Sequence, residues 1–272
     1  MWAGCVLAWS RSGSVDWWLA AFTLAGALCI QIATNCFNDA IDARKGADTA
    51  ARTGPVRVTA SGMLKARTVI WLGVAFLFAA FLCGVVLYDA RGWPVIAIGL
   101  PSLFLAYGYT GGPFPLAYRG LGECFVILFF GWVAVAGTVF MQTGAWPREV
   151  WLLGGQVGLL SAVLISINNL RDRAEDVLAG KRTLAVRFGP KVAVAVIWLE
   201  IKLAAFAGLL WIPLGHPAWT LAGLPVLLLG TRILWGVLTQ APGSSFNRLL
   251  ALAALSLVLF AAAFHLIAWR SA

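Results

Sequence analysis

Residues 150–182 read VWLLGGQVGLLSAVLISINNLRDRAEDVLAGKR, an uncharged apolar run that ends in a dense cluster of acidic and basic side chains. The run from 150 to 170 has the length that a helix needs to cross the hydrocarbon of a bilayer, about 20 residues. Asp172, Glu175 and Asp176 therefore follow directly on a predicted membrane-spanning helix. Ionisable side chains near lipid are costly and usually functional, so these acids indicate a binding site at the membrane boundary.

The rest of the chain has the same apolar character. Of its 272 residues 61% are hydrophobic and 11% are charged, whereas a soluble domain has about 25% charged residues. We therefore predict an all-α polytopic membrane protein with one transmembrane domain, residues 1–272. The apolar runs predict eight spans: 17–37, 68–88, 93–109, 121–141, 150–170, 190–211, 218–239 and 248–269. The shorter run MWAGCVLAW at the start predicts a truncated first helix, which makes a bundle of about nine helices.

The distribution of basic residues orients these helices. The net charge of +9 suggests nucleic acid at first sight, but most of the basic residues lie in the loops after the second, fourth, sixth and eighth helices. The positive-inside rule places those loops in the cytoplasm, and we expect a bacterial inner (plasma) membrane protein with no nucleic-acid partner. Loops 38–67 and 171–191 hold most of these charges, and four crossings separate them. They therefore emerge on the same side of the membrane.

Both loops begin with a similar pattern of polar residues. The first reads NCFNDAIDARKGADTAARTGPVRVTASG over 35–62, and Asn38 and Asp42 share one face if the second helix continues to them. In the other loop Asn168, Asp172 and Asp176 recur every four residues, again on one face. Because both loops lie on one side of the membrane, the two acidic clusters can meet in space.

Two facing carboxylate clusters flanked by Arg and Lys suit a magnesium-bound diphosphate. Mg²⁺ prefers oxygen ligands and is typically held by one or two carboxylates and by phosphate oxygens, and basic side chains neutralise the remaining phosphate charge. At the ends of apolar helices, a diphosphate would leave a hydrophobic tail between the helices. The implied substrate is a polyprenyl diphosphate. The alternative is that these residues are ordinary solvated loop charges.

Three segments also resemble a known family. NDAIDARKGADT with GPVRVTASG, and NNLRDRAEDVLAGKRTLAVRFG, resemble the two aspartate-rich motifs of the UbiA superfamily of intramembrane prenyltransferases. The KGADT form of the first motif, with YTGGPFPLAYRGLGE at 109–123, is similar to the branch that acts on 1,4-dihydroxy-2-naphthoate in menaquinone synthesis. One acidic position of the first motif falls on Gly46, and Asp48, two residues on, is the candidate replacement. A basic position a few residues after Tyr109 falls on Pro113 and Phe114, so Arg119 is the candidate there.

The resemblance implies a UbiA-like bundle and a Mg²⁺-dependent aromatic prenyl transfer. A polyprenyl group would pass from its diphosphate to 1,4-dihydroxy-2-naphthoate with loss of carbon dioxide, giving demethylmenaquinone. The implied site consists of the catalytic metal ligands Asp39, Asp42, Asp172 and Asp176 with Asp48 as a further metal ligand, the diphosphate-binding Arg57, Lys181 and Arg182, and the substrate-binding Asn38, Asn168, Tyr109 and Arg119. Lys45 is a second candidate, with Arg119, for the carboxylate of the acceptor.

Two other functions compete with this one. The acceptor is alternatively 4-hydroxybenzoate, homogentisate or another aromatic ring. From another class, an ion-coupled transporter also carries intramembrane carboxylates. A transporter predicts acids near the middle of its spans, whereas these acids lie at span ends beside basic loops, which favours the enzyme.

Overall fold

The computed structural model describes residues 1–46, 54 and 56–271, and within these ranges the chain is helical without a β-strand. The α-helices in chain order are α1 (Trp2–Ser12), α2 (Trp17–Arg44), α3 (Ala66–Arg91), α4 (Trp93–Gly108), α5 (Gly122–Val126), α6 (Ala134–Thr143), α7 (Glu149–Arg171), α8 (Arg173–Leu178), α9 (Leu184–Phe206), α10 (Leu224–Thr239) and α11 (Phe246–Ser271). A π-helical segment, Ile127–Val133, joins α5 to α6. Short 3-10 segments follow α9 and precede α10. The all-helical class predicted from the sequence is confirmed.

Seven helices in the described part of the chain are long and apolar enough to cross a membrane. They are Trp17–Arg44, Ala66–Arg91, Gly122–Thr143, Glu149–Arg171, Leu184–Trp211, Pro217–Thr239 and Phe246–Ser271. The predicted span 93–109 is α4, which has 16 residues, and the predicted truncated helix is α1, which has 11. Both are shorter than the roughly 20 residues of a crossing. The membrane class is therefore confirmed, whereas the count of nine spanning helices is not.

The described residues form two compact units. One unit comprises Asp16–Leu121 with Ala174–Thr183, and we call it the α2–α4 unit. The other comprises Met1–Val15, Gly122–Arg173 and Leu184–Ala272, and we call it the α7 unit. The boundary between them passes through the second aspartate-rich segment, so each unit contains a part of the predicted site.

In the α2–α4 unit, α2 and α3 pack closely along their length. The carboxylate of Asp16 caps α2 by accepting a hydrogen bond from the backbone N–H of Leu19 at 3.0 Å, a favourable N-cap interaction. Gly73 of α3 lets the two helices approach, because a Cβ at this position would lie 2.9 Å from the ring of Phe37. The helix α2 continues past the predicted end of its span at residue 37 and reaches Arg44, so the first aspartate-rich motif is helical.

In the α7 unit, α7 is the central helix and buries most of its circumference. Its glycines allow the π-helical segment to pack against it backbone to backbone. A Cβ at Gly158 would lie 2.7 Å from the carbonyl oxygen of Ile127, so only glycine fits there. Such small-residue contacts are typical of membrane helix pairs. This packing fixes α5, and with it the side chains that α5 turns toward α7.

Candidate functional site

The first aspartate-rich motif lies on the last turns of α2. Asp39 and Asp42 are 7% and 4% exposed, which is unusual for carboxylates, since they are rarely buried without a partner. Their spacing of three residues on a continuous helix puts them on one face. Asn38 accepts a hydrogen bond from the hydroxyl of Thr110. The motif is therefore a buried polar face rather than a solvated loop.

Asp39 organises the later part of the first loop. Its Oδ2 and Oδ1 accept hydrogen bonds from the backbone N–H groups of Val58 at 3.1 Å and Thr59 at 3.0 Å. Arg57, the predicted diphosphate-binding residue, directly precedes Val58. One carboxylate of the motif thus fixes the position of the chain that carries this guanidinium. Asp48 lies outside the described residues.

Asp42 links the first motif to the second. Its Oδ1 accepts a hydrogen bond from the hydroxyl of Tyr118 at 2.7 Å, and its Oδ2 forms an ion pair with Nζ of Lys181 at 2.9 Å. Two ammonium groups lie over the ring of Tyr118, with Nζ of Lys45 3.9 Å and Nζ of Lys181 5.4 Å from its centroid. Cations at such distances from an aromatic face are attracted to it. Tyr118 therefore holds one carboxylate and two cations in one place.

The second motif enters the α2–α4 unit through α8 and the turn after it. Asp176 is 8% exposed on α8, and its carbonyl oxygen accepts a hydrogen bond from the N–H of Lys181 at 2.9 Å. Gly180 makes the intervening turn with a φ of 68°, a conformation that favours glycine. The N–H of Arg182 donates to the carbonyl oxygen of Tyr118 at 3.1 Å. Within this unit Asp176, Lys181 and Arg182 are thus anchored beside Asp42 and Tyr118.

In the α7 unit, the first half of the second motif forms a network around one arginine. Arg171 donates to both carboxylate oxygens of Asp172, at 2.6 and 2.8 Å, in the two-pronged geometry that guanidinium groups favour. It also donates to Oδ1 of Asn168 and to Oδ1 of Asn247, each at 2.7 Å. The Arg171 side chain is 1% exposed. The predicted residues Asn168 and Asp172 are therefore held in place by a buried cation.

Sequence reasoning assigned no site role to Arg171, Tyr118 or Asn247. Asn247 is distant in the sequence from both motifs, and no spacing signals its contact with Arg171. Tyr118 lies in the YTGGPFPLAYRGLGE segment. The resemblance of this segment to the naphthoate branch was the one feature of the sequence that could have indicated a role for Tyr118 in the site.

The two remaining predicted residues lie near each other along the chain in the α2–α4 unit. Tyr109 follows α4, and its carbonyl oxygen accepts a hydrogen bond from the N–H of Ala117 at 2.8 Å. The guanidinium of Arg119 lies over the ring of Phe114, 3.2 Å from the ring centroid. Phe114 is one of the two residues on which the resemblance places a basic position, and the charge of Arg119 lies beside its ring.

The donors present suit Mg²⁺ with a phosphate. Among the described residues no three His, Cys, Asp or Glu side chains form a group that could hold a metal ion. Mg²⁺ needs only one or two carboxylates when phosphate oxygens complete its coordination, and Asp39 and Asp42 supply buried oxygen ligands on one face of α2. Lys45 and Lys181 supply the positive charge beside them. The site therefore fits a metal that arrives with a diphosphate.

Comparison with known proteins gives a consistent set of relatives. The chain matches the UbiA prenyltransferase family over residues 1–235. It is 31% identical over 218 residues to the 1,4-dihydroxy-2-naphthoate octaprenyltransferase of Haemophilus influenzae, which covers 78% of this chain and 71% of that protein. With the proteins of the same name from Bacillus subtilis and Mycobacterium tuberculosis the identities are 35% over 190 residues and 39% over 176 residues. These matches cover 70% and 64% of this chain, but only 61% and 59% of the two relatives.

Solved structures share the fold. A UbiA homolog from Archaeoglobus fulgidus bound to DMAPP and Mg²⁺ matches with a TM-score of 0.59 at 12% identity, over 97% of this chain and 95% of that one. A digeranylgeranylglyceryl phosphate synthase matches with a TM-score of 0.60 at 15% identity, over 98% and 92% of the two chains. At these identities the likeness is one of fold.

Proposed function

The chain belongs to the UbiA prenyltransferase family, and from this membership we propose that it transfers a polyprenyl group from polyprenyl diphosphate to 1,4-dihydroxy-2-naphthoate. The observation that supports this most directly is the ion pair between Asp42 and Lys181, 2.9 Å long, which joins the two aspartate-rich motifs. A carboxylate for a metal and an ammonium for a phosphate are thereby adjacent. We propose that this pair opens to admit the magnesium diphosphate.

In this proposal the acids hold the metal and the bases hold the phosphate. Asp39, Asp42, Asp172 and Asp176, together with Asp48, would ligate Mg²⁺, with Asn38 and Asn168 as neutral oxygen donors. When bound, Mg²⁺ supplies Lewis-acid stabilisation of the negative charge that develops on the leaving diphosphate. Arg57, Lys181 and Arg182 would hold the diphosphate oxygens, since ammonium and guanidinium groups pair strongly with phosphate.

The reaction exchanges two bonds to carbon. The bond between the allylic carbon and the diphosphate oxygen breaks, and its electron pair leaves with the diphosphate. The ring carbon that carries the carboxylate bonds to the allylic carbon, and carbon dioxide departs, returning its bonding pair to the ring. The product is the dihydroxy form of which demethylmenaquinone is the oxidised state. The ring of Tyr109 would stabilise the allylic cation by cation–π attraction, and the apolar bundle would keep water away from it.

The choice of acceptor rests on the names of the relatives. Proteins named 1,4-dihydroxy-2-naphthoate octaprenyltransferase match this chain at 31–39% identity, whereas a 4-hydroxybenzoate octaprenyltransferase from Methylococcus capsulatus matches at 28%. Arg119 and Lys45 are the proposed partners of the acceptor carboxylate, since Lys45 is a cation directly after α2 and Arg119 is a cation in the segment that follows α4. We further propose that the site faces the cytoplasm from a bacterial inner membrane, as the positive-inside pattern predicts.

An acceptor exchange tests this function. Membranes that contain the expressed protein would be incubated with labelled polyprenyl diphosphate, Mg²⁺, and either 1,4-dihydroxy-2-naphthoate, 4-hydroxybenzoate or homogentisate. We expect prenylated product and carbon dioxide with the naphthoate alone, and none after chelation of the metal. Product with another ring would reassign the acceptor. Uptake of a solute into vesicles without any prenylated product would favour the transporter instead.

A further inference from the structure

Two glutamates outside the aspartate-rich motifs are buried in the α7 unit. Glu123 on α5 is 6% exposed and Glu200 on α9 is 4% exposed. Oε1 of Glu123 accepts a hydrogen bond from Nδ2 of Asn169 at 2.9 Å, and Oε1 of Glu200 accepts one from the hydroxyl of Ser166 at 2.9 Å. In each glutamate Oε2 is buried and has no hydrogen-bond partner among the described residues. The pair thus presents two unsatisfied oxygens.

The hydrogen-bond partners of the two glutamates place them next to each other. Ser166 and Asn169 lie three residues apart on α7 and therefore on one face, separated by about 4.5 Å along the helix axis. Asp172 follows after three further residues, at the C-terminal cap of the same helix. Along α7, the partner of Glu200, the partner of Glu123 and Asp172 itself thus follow one another at intervals of about one turn. The glutamate pair begins one turn inward from the aspartate-rich motif.

The energetics favour a hydrogen-bond donor at each of the two unsatisfied oxygens. An unpaired charge buried in a low-dielectric interior is strongly unfavourable. In the described structure neither Glu123 nor Glu200 forms an ion pair, and the nearby guanidinium of Arg171 is bonded to Asp172 and two asparagines. Each glutamate has one neutral donor for two oxygens. A ligand with two hydroxyl groups would satisfy both.

We propose that Glu123 and Glu200 bind the two hydroxyl groups of the aromatic acceptor, an inference that rests on the proposed prenyl transfer. The acceptor carries two hydroxyls on opposite sides of one ring, and the pair offers two acceptors about one helical turn apart. The ring carbon must come within about 3–3.5 Å of the allylic carbon to react, and that carbon is bonded to the diphosphate. In this proposal a ring bound by the two glutamates lies about one helical turn from Asp172, a proposed metal ligand.

The proposed contacts also assist the reaction. A carboxylate that accepts a hydrogen bond from a phenolic hydroxyl increases electron density on the ring, which strengthens the ring as a nucleophile. The hydroxyl protons remain on their oxygens in the product, so no proton acceptor is needed. Glu123 and Glu200 therefore act by binding and polarising the acceptor, while the aspartates serve the diphosphate.

Kinetics of isosteric variants test the proposal. Glu123→Gln and Glu200→Gln are each expected to raise the KM for 1,4-dihydroxy-2-naphthoate by about 10- to 100-fold, the range for a hydrogen bond to a charged group. The KM for polyprenyl diphosphate should stay at the wild-type value. Glu149→Gln is the matched control, because Glu149 is also buried in the α7 unit, has an unpartnered Oε2, and pairs with Arg11 instead. Equal changes in both KM values would overturn the proposal.

An acceptor analogue separates binding from a structural effect. 1-Hydroxy-2-naphthoate, which lacks one hydroxyl, would be measured as a competitive inhibitor of the wild type and of both variants. We expect only one of the two substitutions to weaken its inhibition, because the other glutamate has no hydroxyl to bind. If both substitutions weaken the analogue as much as they weaken the full acceptor, the glutamates support the fold and the proposal is wrong.

Chemical labelling of the wild type gives a readout that requires no turnover. Dicyclohexylcarbodiimide, an apolar reagent, reacts with the protonated form that a buried carboxylate reaches by proton exchange, and converts it into an N-acylurea, which mass spectrometry locates on the chain. Added 1,4-dihydroxy-2-naphthoate should protect Glu123 and Glu200 and leave Glu149 unprotected. If the acceptor does not reduce the labelling of Glu123 and Glu200, the proposed site is wrong. If the wild type transfers no prenyl group, the proposed function fails, whereas protection still decides whether the pair binds a dihydroxy ring.

Discussion

Nζ of Lys181 lies 2.9 Å from Oδ2 of Asp42, although 139 residues separate the two in the sequence. This contact is where the second aspartate-rich motif meets the first. Tyr118 stabilises it by donating to the other oxygen of the same carboxylate. Each oxygen of the carboxylate thus has one of these partners, and in the proposed function the magnesium diphosphate would displace the ammonium.

Asp42→Asn is expected to abolish transfer and leave the helical bundle folded. The substitution keeps the shape of the side chain and its contact with Tyr118 but removes the charge that would bind Mg²⁺. Loss of outer partners of a metal site already costs 10- to 100-fold, so we expect activity to fall by at least about 100-fold. Asp89→Asn is the control, since Asp89 is exposed near the end of α3 in the same unit. Near-wild-type transfer by Asp42→Asn would exclude it as a ligand.

Arg171→Met is expected to destabilise the fold by about 3–5 kcal/mol, the cost of leaving one partner of a buried ion pair uncompensated. Asp172 would retain its burial but lose both hydrogen bonds from the guanidinium. The double variant Arg171→Met with Asp172→Asn should regain part of that stability, because the buried negative charge that the guanidinium balanced is removed as well. Thermal unfolding of the purified protein in detergent measures both effects. Arg148→Met is the control, because its side chain is 70% exposed.

Much of this arrangement was predictable from spacing. Asn38 and Asp42 are one helical turn apart, and their common face required only that α2 continue beyond its apolar span, which it does. The pairing of Asp39 with the backbone of Val58 and Thr59 was not predictable, because it depends on how the first loop folds back onto the end of α2. Every residue except proline has a backbone N–H group, so the sequence does not indicate which of these groups a carboxylate will bind.

The number of membrane-spanning helices was harder to predict than the helical class, because hydropathy does not show where a helix begins and ends. Hydropathy treats 93–109 as another span, but Gly92, at a φ of 73°, ends α3 directly before α4. Proline within the first turn and at position 101 further shapes α4. Length, rather than composition, separates α4, with its 16 residues, from the seven helices that are long enough to cross a membrane.

Tyr118→Phe is expected to lower kcat/KM for polyprenyl diphosphate by about tenfold, the weight of one hydrogen bond to a charged group. The ring remains, so Lys45 and Lys181 keep the aromatic face near their ammonium groups. Only the hydroxyl that holds Asp42 is lost. Steady-state kinetics at varied Mg²⁺ would show the defect as a weaker response to the metal. Tyr88→Phe on the exposed part of α3 is the control, and equal losses in the two variants would remove Tyr118 from the site.

Gly158→Ala is expected to destabilise the α7 unit by about 1–3 kcal/mol, the usual cost of overpacking. The new Cβ would lie 2.7 Å from the carbonyl oxygen of Ile127, and backbone atoms cannot yield as a flexible side chain can. Gly155→Ala on the same helix is the matched control, because its Cβ would meet the indole of Trp132 at an ordinary 3.8 Å. That variant should gain helix propensity and unfold at or above the wild-type temperature. If both variants unfold alike, the close approach of the π-helical segment to α7 does not contribute to stability, and the position of Glu123 on α5 must be fixed by other contacts.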